Sequence, residues 1–280
     1  MDRAVPPEPG AAGDGPPFRT VLGLARYVAV LGLAGLFTGI LIGGVGGRLF
    51  MRIAGAVGGE AARGATTEAG FTVGEITFGG TLALAVGAGI FVGIVGAAFY
   101  VVLRPWLAWA GPWRGVAFGI VLFALGSATS DVLNPDNVDF VILGNEVLVL
   151  SMILLLFVGF GVVIDRFAKW LDQRLPQTGR AHPIASGWYV VIAVIGVALG
   201  SGLLPQGLFT RSFCDCDPPI VAGVLLVVAA AGTICWIVSA FSSSARLPSI
   251  ARVLGLVGVA GATTAGLMRA IGDVAAVISG

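Results

Sequence analysis

Acidic side chains are the groups in this chain best suited to chemistry. Three of them, Asp131, Asp136 and Asp139, sit in the stretch Asp131-Val-Leu-Asn134-Pro135-Asp136-Asn137-Val-Asp139, and Glu146 follows closely. Carboxylates and amides in this density could bind a hard cation or a cationic substrate. Calcium, however, takes about six to eight oxygens, and the spacing of the helix-loop-helix calcium site is missing. Asn-Pro and Asp-Asn also form turns by bonding nearby backbone amides. A solvated capping turn is the simpler reading, and an ion or substrate site is the alternative.

Glu146 has two readings as well. If the apolar run around it begins near Phe140, its carboxylate lies about 10 Å along a helix rising roughly 1.5 Å per residue. An ionisable group at that depth in hydrocarbon needs a cavity or a partner, and Arg48 or Arg269 could serve. Val147 to Ile164 is nonetheless long enough to span alone, which would leave Glu146 at the wet boundary. Arg269 and Asp273 are four residues apart and should pair on one helix face. Cys214 and Cys216 flank Asp215. A disulfide or two ordinary thiols is the simplest reading; two soft metal ligands without a histidine nearby would be a poor site.

Other chemistries lack their residues. A retinal protein needs a Schiff-base lysine in its last helix, and the sole lysine is Lys169. HExxH, GxSxG and the phosphate-binding P-loop are missing. With His182 as the single histidine, haem ligation and histidine proton relays are not supported. No cofactor is expected, and nothing points to nucleic acid.

The elements that must position these groups are seven long apolar runs, beginning near Val28, Phe78, Gly115, Val147, Gly187, Ile220 and Val253. Most reach the length an α-helix needs to cross about 30 Å of hydrocarbon. The chain is 57% hydrophobic and 11% charged, where soluble domains carry about 25% charged residues. The fold class is therefore all-α, a polytopic membrane protein with seven transmembrane helices, or six if the last run does not span. Residues 1–20, rich in proline and glycine, are expected to form a disordered cytoplasmic tail, and residues 21–280 the helical membrane domain. A cleavable signal peptide is not expected, because Asp2, Glu8 and Asp14 spoil a basic leader.

With the amino terminus inside, 11 of the 16 basic residues fall on the cytoplasmic side, and the carboxyl terminus lies outside. Trp106, Trp109, Trp113, Trp170, Trp188 and Trp236 gather on that same side, where indoles favour the headgroup boundary. After the fourth run, Phe167, Trp170, Leu171 and Leu175 are spaced for a short amphipathic helix on the inner leaflet, ending at Pro176. Charged Asp165, Arg166, Lys169, Asp172 and Arg174 would form its solvated face.

Glycine contributes 44 of 280 residues. Gly35, Gly39, Gly43 and Gly47 recur every fourth residue, as do Ala85, Gly89, Gly93 and Ala97, and small faces of this kind let helix backbones approach closely in lipid. Pro176-Gln177 and Pro205-Gln206 repeat a dipeptide that resembles that of PQ-loop transporters. Both copies lie in or beside loops and not at matching helix positions, so no family is assigned on them.

The leading functional expectation is a non-enzymatic integral membrane protein, an accessory, assembly or scaffold subunit. Its partners would be the lipid bilayer and a membrane protein or a second copy of itself. A small-solute or ion transporter using the acidic cluster is the alternative, and an intramembrane enzyme is third. Arginine almost wholly replaces lysine, as in GC-rich bacteria, so a bacterial plasma membrane is expected.

Overall fold

The computed structural model describes residues 18, 20–57, 82, 87, 89–129, 133, 146–179, 182–209, 219–241 and 246–279. Among them the chain is almost wholly helical and contains no strand. The long helices are α1 (Val21–Thr38), α2 (Gly47–Val57), α3 (Gly89–Leu103), α4 (Arg114–Thr129), α5 (Glu146–Arg174), α6 (Pro183–Phe209), α7 (Pro219–Ser239) and α8 (Arg246–Ser279). A π-helical stretch, Gly39–Gly46, joins α1 to α2, and a 3₁₀ turn, Ala108–Trp113, leads into α4. Five described segments are long and apolar enough to cross a bilayer: Val21–Ile53, Ala108–Ser127, Val147–Arg174, Pro183–Gly202 and Pro248–Ala276. Gly89–Leu103 and Gly223–Ser239 are apolar but shorter. Each of the seven expected runs thus contains a described helix, five of them at spanning length.

α1 starts at Thr20, whose extended backbone and side-chain oxygen, accepting from Gly23 N at 3.1 Å, cap the first turn. Phe18, just before it, is buried against Trp236, Tyr27 and Phe241 at centroid distances of 5.7, 5.5 and 6.3 Å. Phe18 is therefore part of the packed structure, and the rest of the segment expected to be a tail, apart from Thr20, lies outside the described residues.

Neighbouring helices run antiparallel and touch through glycine. A side chain at Gly35 would meet the Gly93 carbonyl oxygen at 2.6 Å, and one at Gly39 would overlap the backbone of Gly89 and Gly93. The same closeness recurs between α4 and α5, where Gly115 and Gly119 face the backbone at Val162 and Val158. It recurs again between α7 and α8, at Gly232 with Gly255 and at Ala229 with Gly258. Gly266 of α8 abuts the Ala124 carbonyl of α4.

The four-residue glycine row of the first run does not stay on one face. Gly35 and Gly39 are buried, and the next buried glycine is Gly44 rather than Gly43. The π-helix explains the shift, because i→i+5 winding returns to the same side one residue later than an α-helix does.

The buried core centres on Leu31, Tyr100, Leu103, Leu107, Phe118 and Ile164, joining α1, α3, α4 and α5. Two tryptophans belong to this core and not to a headgroup belt: Trp106 and Trp236 are buried, while Trp109, Trp113, Trp170 and Trp188 are exposed. The stripe expected to form a separate amphipathic helix is instead the unbroken continuation of α5. Leu171 is buried in the core, Phe167 and Leu175 pack against it, and Phe167 stacks on Phe37 with centroids 6.1 Å apart. Protein, not lipid, covers most of that stripe. The helix ends at Arg174, just before Pro176.

Candidate functional site

The largest group of described charges lies at one end of the bundle, where α1, α4 and α6 begin and α3, α5 and α7 finish. Asp165 is the centre. It is the first charged residue after the apolar stretch 147–164 of α5, and it is 2% exposed. Its Oδ1 accepts from Tyr100 Oη at 2.6 Å and from Arg114 Nε at 2.8 Å, with Arg114 Nη2 at 2.7 Å. Its Oδ2 takes Lys169 Nζ at 2.6 Å, one helical turn further along α5. One carboxylate therefore ties the end of α3 and the start of α4 to α5. Each of its oxygens already holds at least one strong donor, so the group clamps helices and is not poised to take a proton from a substrate.

Arg114 is aimed by the turn before it. Gly111 has φ +52° and ψ −118°, the first central position of a II′-type turn, which only glycine adopts without strain. Pro112 and Trp113 follow, and the chain enters α4 with the guanidinium facing α5. Arg104, at the other side of this connection, lies over the Tyr27 ring at 5.3 Å and near the Tyr100 ring at 6.0 Å.

A second arginine latches the same end. Arg26 of α1, buried, pairs with the Asp172 carboxylate. It also donates to the carbonyls of Asp172 at 2.8 Å, Leu175 at 3.2 Å and Pro176 at 3.0 Å. These are the orphan carbonyls at the end of α5, and a planar guanidinium can serve several of them at once. Tyr189 of α6 donates to the Pro176 carbonyl as well, at 2.9 Å. Deeper in the bundle, Trp106 Nε1 donates to Thr233 Oγ1 at 3.0 Å, linking the connection after α3 to α7.

Beside Asp165 lies a cavity of about 390 Å³ between α4 and α5, lined by Pro112, Trp113, Val116, Val162, Asp165 and Arg166. Among the described residues no group of three or more histidine, cysteine, aspartate or glutamate side chains is placed to hold a metal.

Of the residues singled out from the sequence, Asp131, Asp136, Asp139, Cys214 and Cys216 lie outside the described residues. Glu146 is the first residue of α5, its side chain undescribed. Arg48 is half-buried in α2. Arg269 Nε lies 3.3 Å from Asp273 Oδ1 on α8. The clamp at Asp165 was missed, because its spacing with Lys169 also fits an exposed charged face. A usable signal was present: Tyr100, Arg114 and Asp165 each stand where an apolar run starts or stops, so antiparallel helices must bring them to one level.

Comparison with protein-family models, curated proteins and solved structures finds no match.

Proposed function

We propose that this chain is a seven-span integral protein of a bacterial plasma membrane, with the arginine-rich end in the cytoplasm. We assign it the role of a non-enzymatic accessory, assembly or scaffold subunit held together by close glycine packing. One observation carries the reading: the buried ions at Asp165 and Arg26 are consumed in tying helices to one another at the level where their apolar stretches end. The stretch 147–164 covers about 27 Å as an α-helix, close to the hydrocarbon thickness, which puts Asp165 at the headgroup boundary. Arg26, Arg104, Arg114, Arg166, Lys169 and Arg174 share that end, as the positive-inside rule asks. α6 adds a partner- or lipid-facing surface, with Ile184, Val194 and Ile195 exposed.

In a cysteine-free background, single cysteines at Gln177 and Ser243 should be shielded from an impermeant thiol reagent added to intact cells, and one at Asn137 should label. The reverse pattern inverts the orientation, and a mixed one changes the span count. Purification under mild conditions should yield a stoichiometric partner. Solute flux in liposomes containing this chain alone would replace the subunit reading with a transporter.

A further inference from the structure

The cavity between α4 and α5 joins two kinds of lining that rarely serve the same ligand unless it is amphipathic. Val116, Val162, Pro112 and Trp113 give it apolar walls, and Arg166 gives it a charge. Arg166 is exposed and, among the described residues, has no ion-pair partner. Asp165 also lines the cavity, but Arg114 and Lys169 already hold its carboxylate. The charge of Asp165 is thus matched by Arg114 and Lys169, which leaves Arg166 as the uncompensated charge of the lining, and the site favours an anion. Its volume falls in the range of small-ligand pockets, about 300–1,000 Å³. Trp109 and Trp113, 76% and 70% exposed, lie in the turn that leads to it, as indoles at headgroup depth do.

We propose that this cavity binds the phosphate and glycerol region of an anionic phospholipid, with the guanidinium of Arg166 on the phosphate and the apolar walls against the glycerol and first acyl carbons. A planar guanidinium matches phosphate oxygens in pairs. A free, hydrated phosphate ion would gain nothing from valine, proline and indole walls, whereas a lipid continues from the cavity into the apolar surface of α4 and α5. The inference rests on the membrane reading above. The thiol-labelling pattern tests that reading without regard to lipid class, so the two can fail separately.

The test uses the full chain in detergent, with lipid retention measured by native mass spectrometry. Phosphatidylglycerol and phosphatidylcholine of identical acyl chains are the probes. Phosphatidylglycerol should be retained about tenfold more than phosphatidylcholine. Arg166→Gln should lower its retention about fivefold, the expected share of one surface arginine. Val116→Phe, which narrows the cavity and keeps every charge, should lower it too, while Arg174→Gln, at the same end but over the Trp170 ring, should not. Equal retention of the two lipids overturns the proposal, and so does an equal loss in Arg174→Gln, which would mean diffuse attraction. Displacement of phosphatidylglycerol by millimolar inorganic phosphate would overturn it in favour of a free-anion site.

Discussion

Arg114 grips a single oxygen of Asp165 through two nitrogens, Nε at 2.8 Å and Nη2 at 2.7 Å, across the boundary between α4 and α5. Removing the charge of Asp165 while keeping its shape leaves two cations facing a neutral amide. Asp165→Asn should therefore lose about 3–5 kcal/mol of folding stability, the usual effect of breaking a buried ion pair from one side. Lys169→Gln should lose under about 1 kcal/mol, because Lys169 is 43% exposed and solvent screens its half of the contact. Equilibrium unfolding in mixed micelles, with a double-mutant cycle on Arg114→Gln, measures both. Equal effects would mean that the carboxylate is more solvated than its neighbours suggest.

Two glycines in α1 separate packing from helix propensity. At Gly39 an added methyl group meets α3 backbone, which cannot step aside, whereas at Gly32 nothing lies within 4 Å. Gly39→Ala should destabilise by about 1–3 kcal/mol through overpacking. Gly32→Ala should be neutral or stabilise by up to about 1 kcal/mol, since alanine is the better helix former. Melting temperatures in one detergent decide the matter, and similar shifts at the two positions would count against close α1–α3 contact.

The turn at Gly111 makes a backbone prediction independent of packing. Nothing lies within 4 Å of a side chain there, yet φ is +52°. Gly111→Ala should lose about 1–3 kcal/mol through strain alone. Gly187→Ala, equally open but in helical backbone, should not destabilise. A fluorescence-detected thermal scan of the two variants compares them directly.

At the latch, charge alone is not enough. Arg26→Lys keeps a cation near Asp172 but cannot reach three carbonyls from one planar head, so about 1–3 kcal/mol should be lost. Hydrogen exchange should rise locally, in the last turn of α5 and at Leu175 and Gln177. Unchanged protection there would assign the stability to the Asp172 ion pair alone.

The helices themselves were legible because length and apolarity are sufficient signals for a spanning segment. Helix ends were not. Asp165, Lys169 and Arg174 read equally well as a solvated stripe, and only the level of Tyr100 and Arg114 on other helices tells that Asp165 is enclosed. Trp106 misled for a related reason. Composition places an indole at an interface, while a hydroxyl such as Thr233, about 127 residues away, lets it be buried. The π-winding of Gly39–Gly46 left no trace in the four-residue glycine spacing, which fits an ordinary α-helix as well.

The latch at Arg26 also fixes an order of assembly. Its acceptors, the carbonyls around Pro176, lie 150 residues further along the chain. At ribosomal speeds of about 5–20 residues per second, roughly 8 to 30 s separate the two ends of this one contact. During that interval α1 must wait with its arginine served by water or lipid headgroups. α1 is made well before α5, and its arginine stays unlatched until α5 is complete. Chains that stop short of Asp172 could still pack α1 on α3 through Gly35 and Gly39, but their Arg26 would have neither its carboxylate nor the helix-end carbonyls to hold.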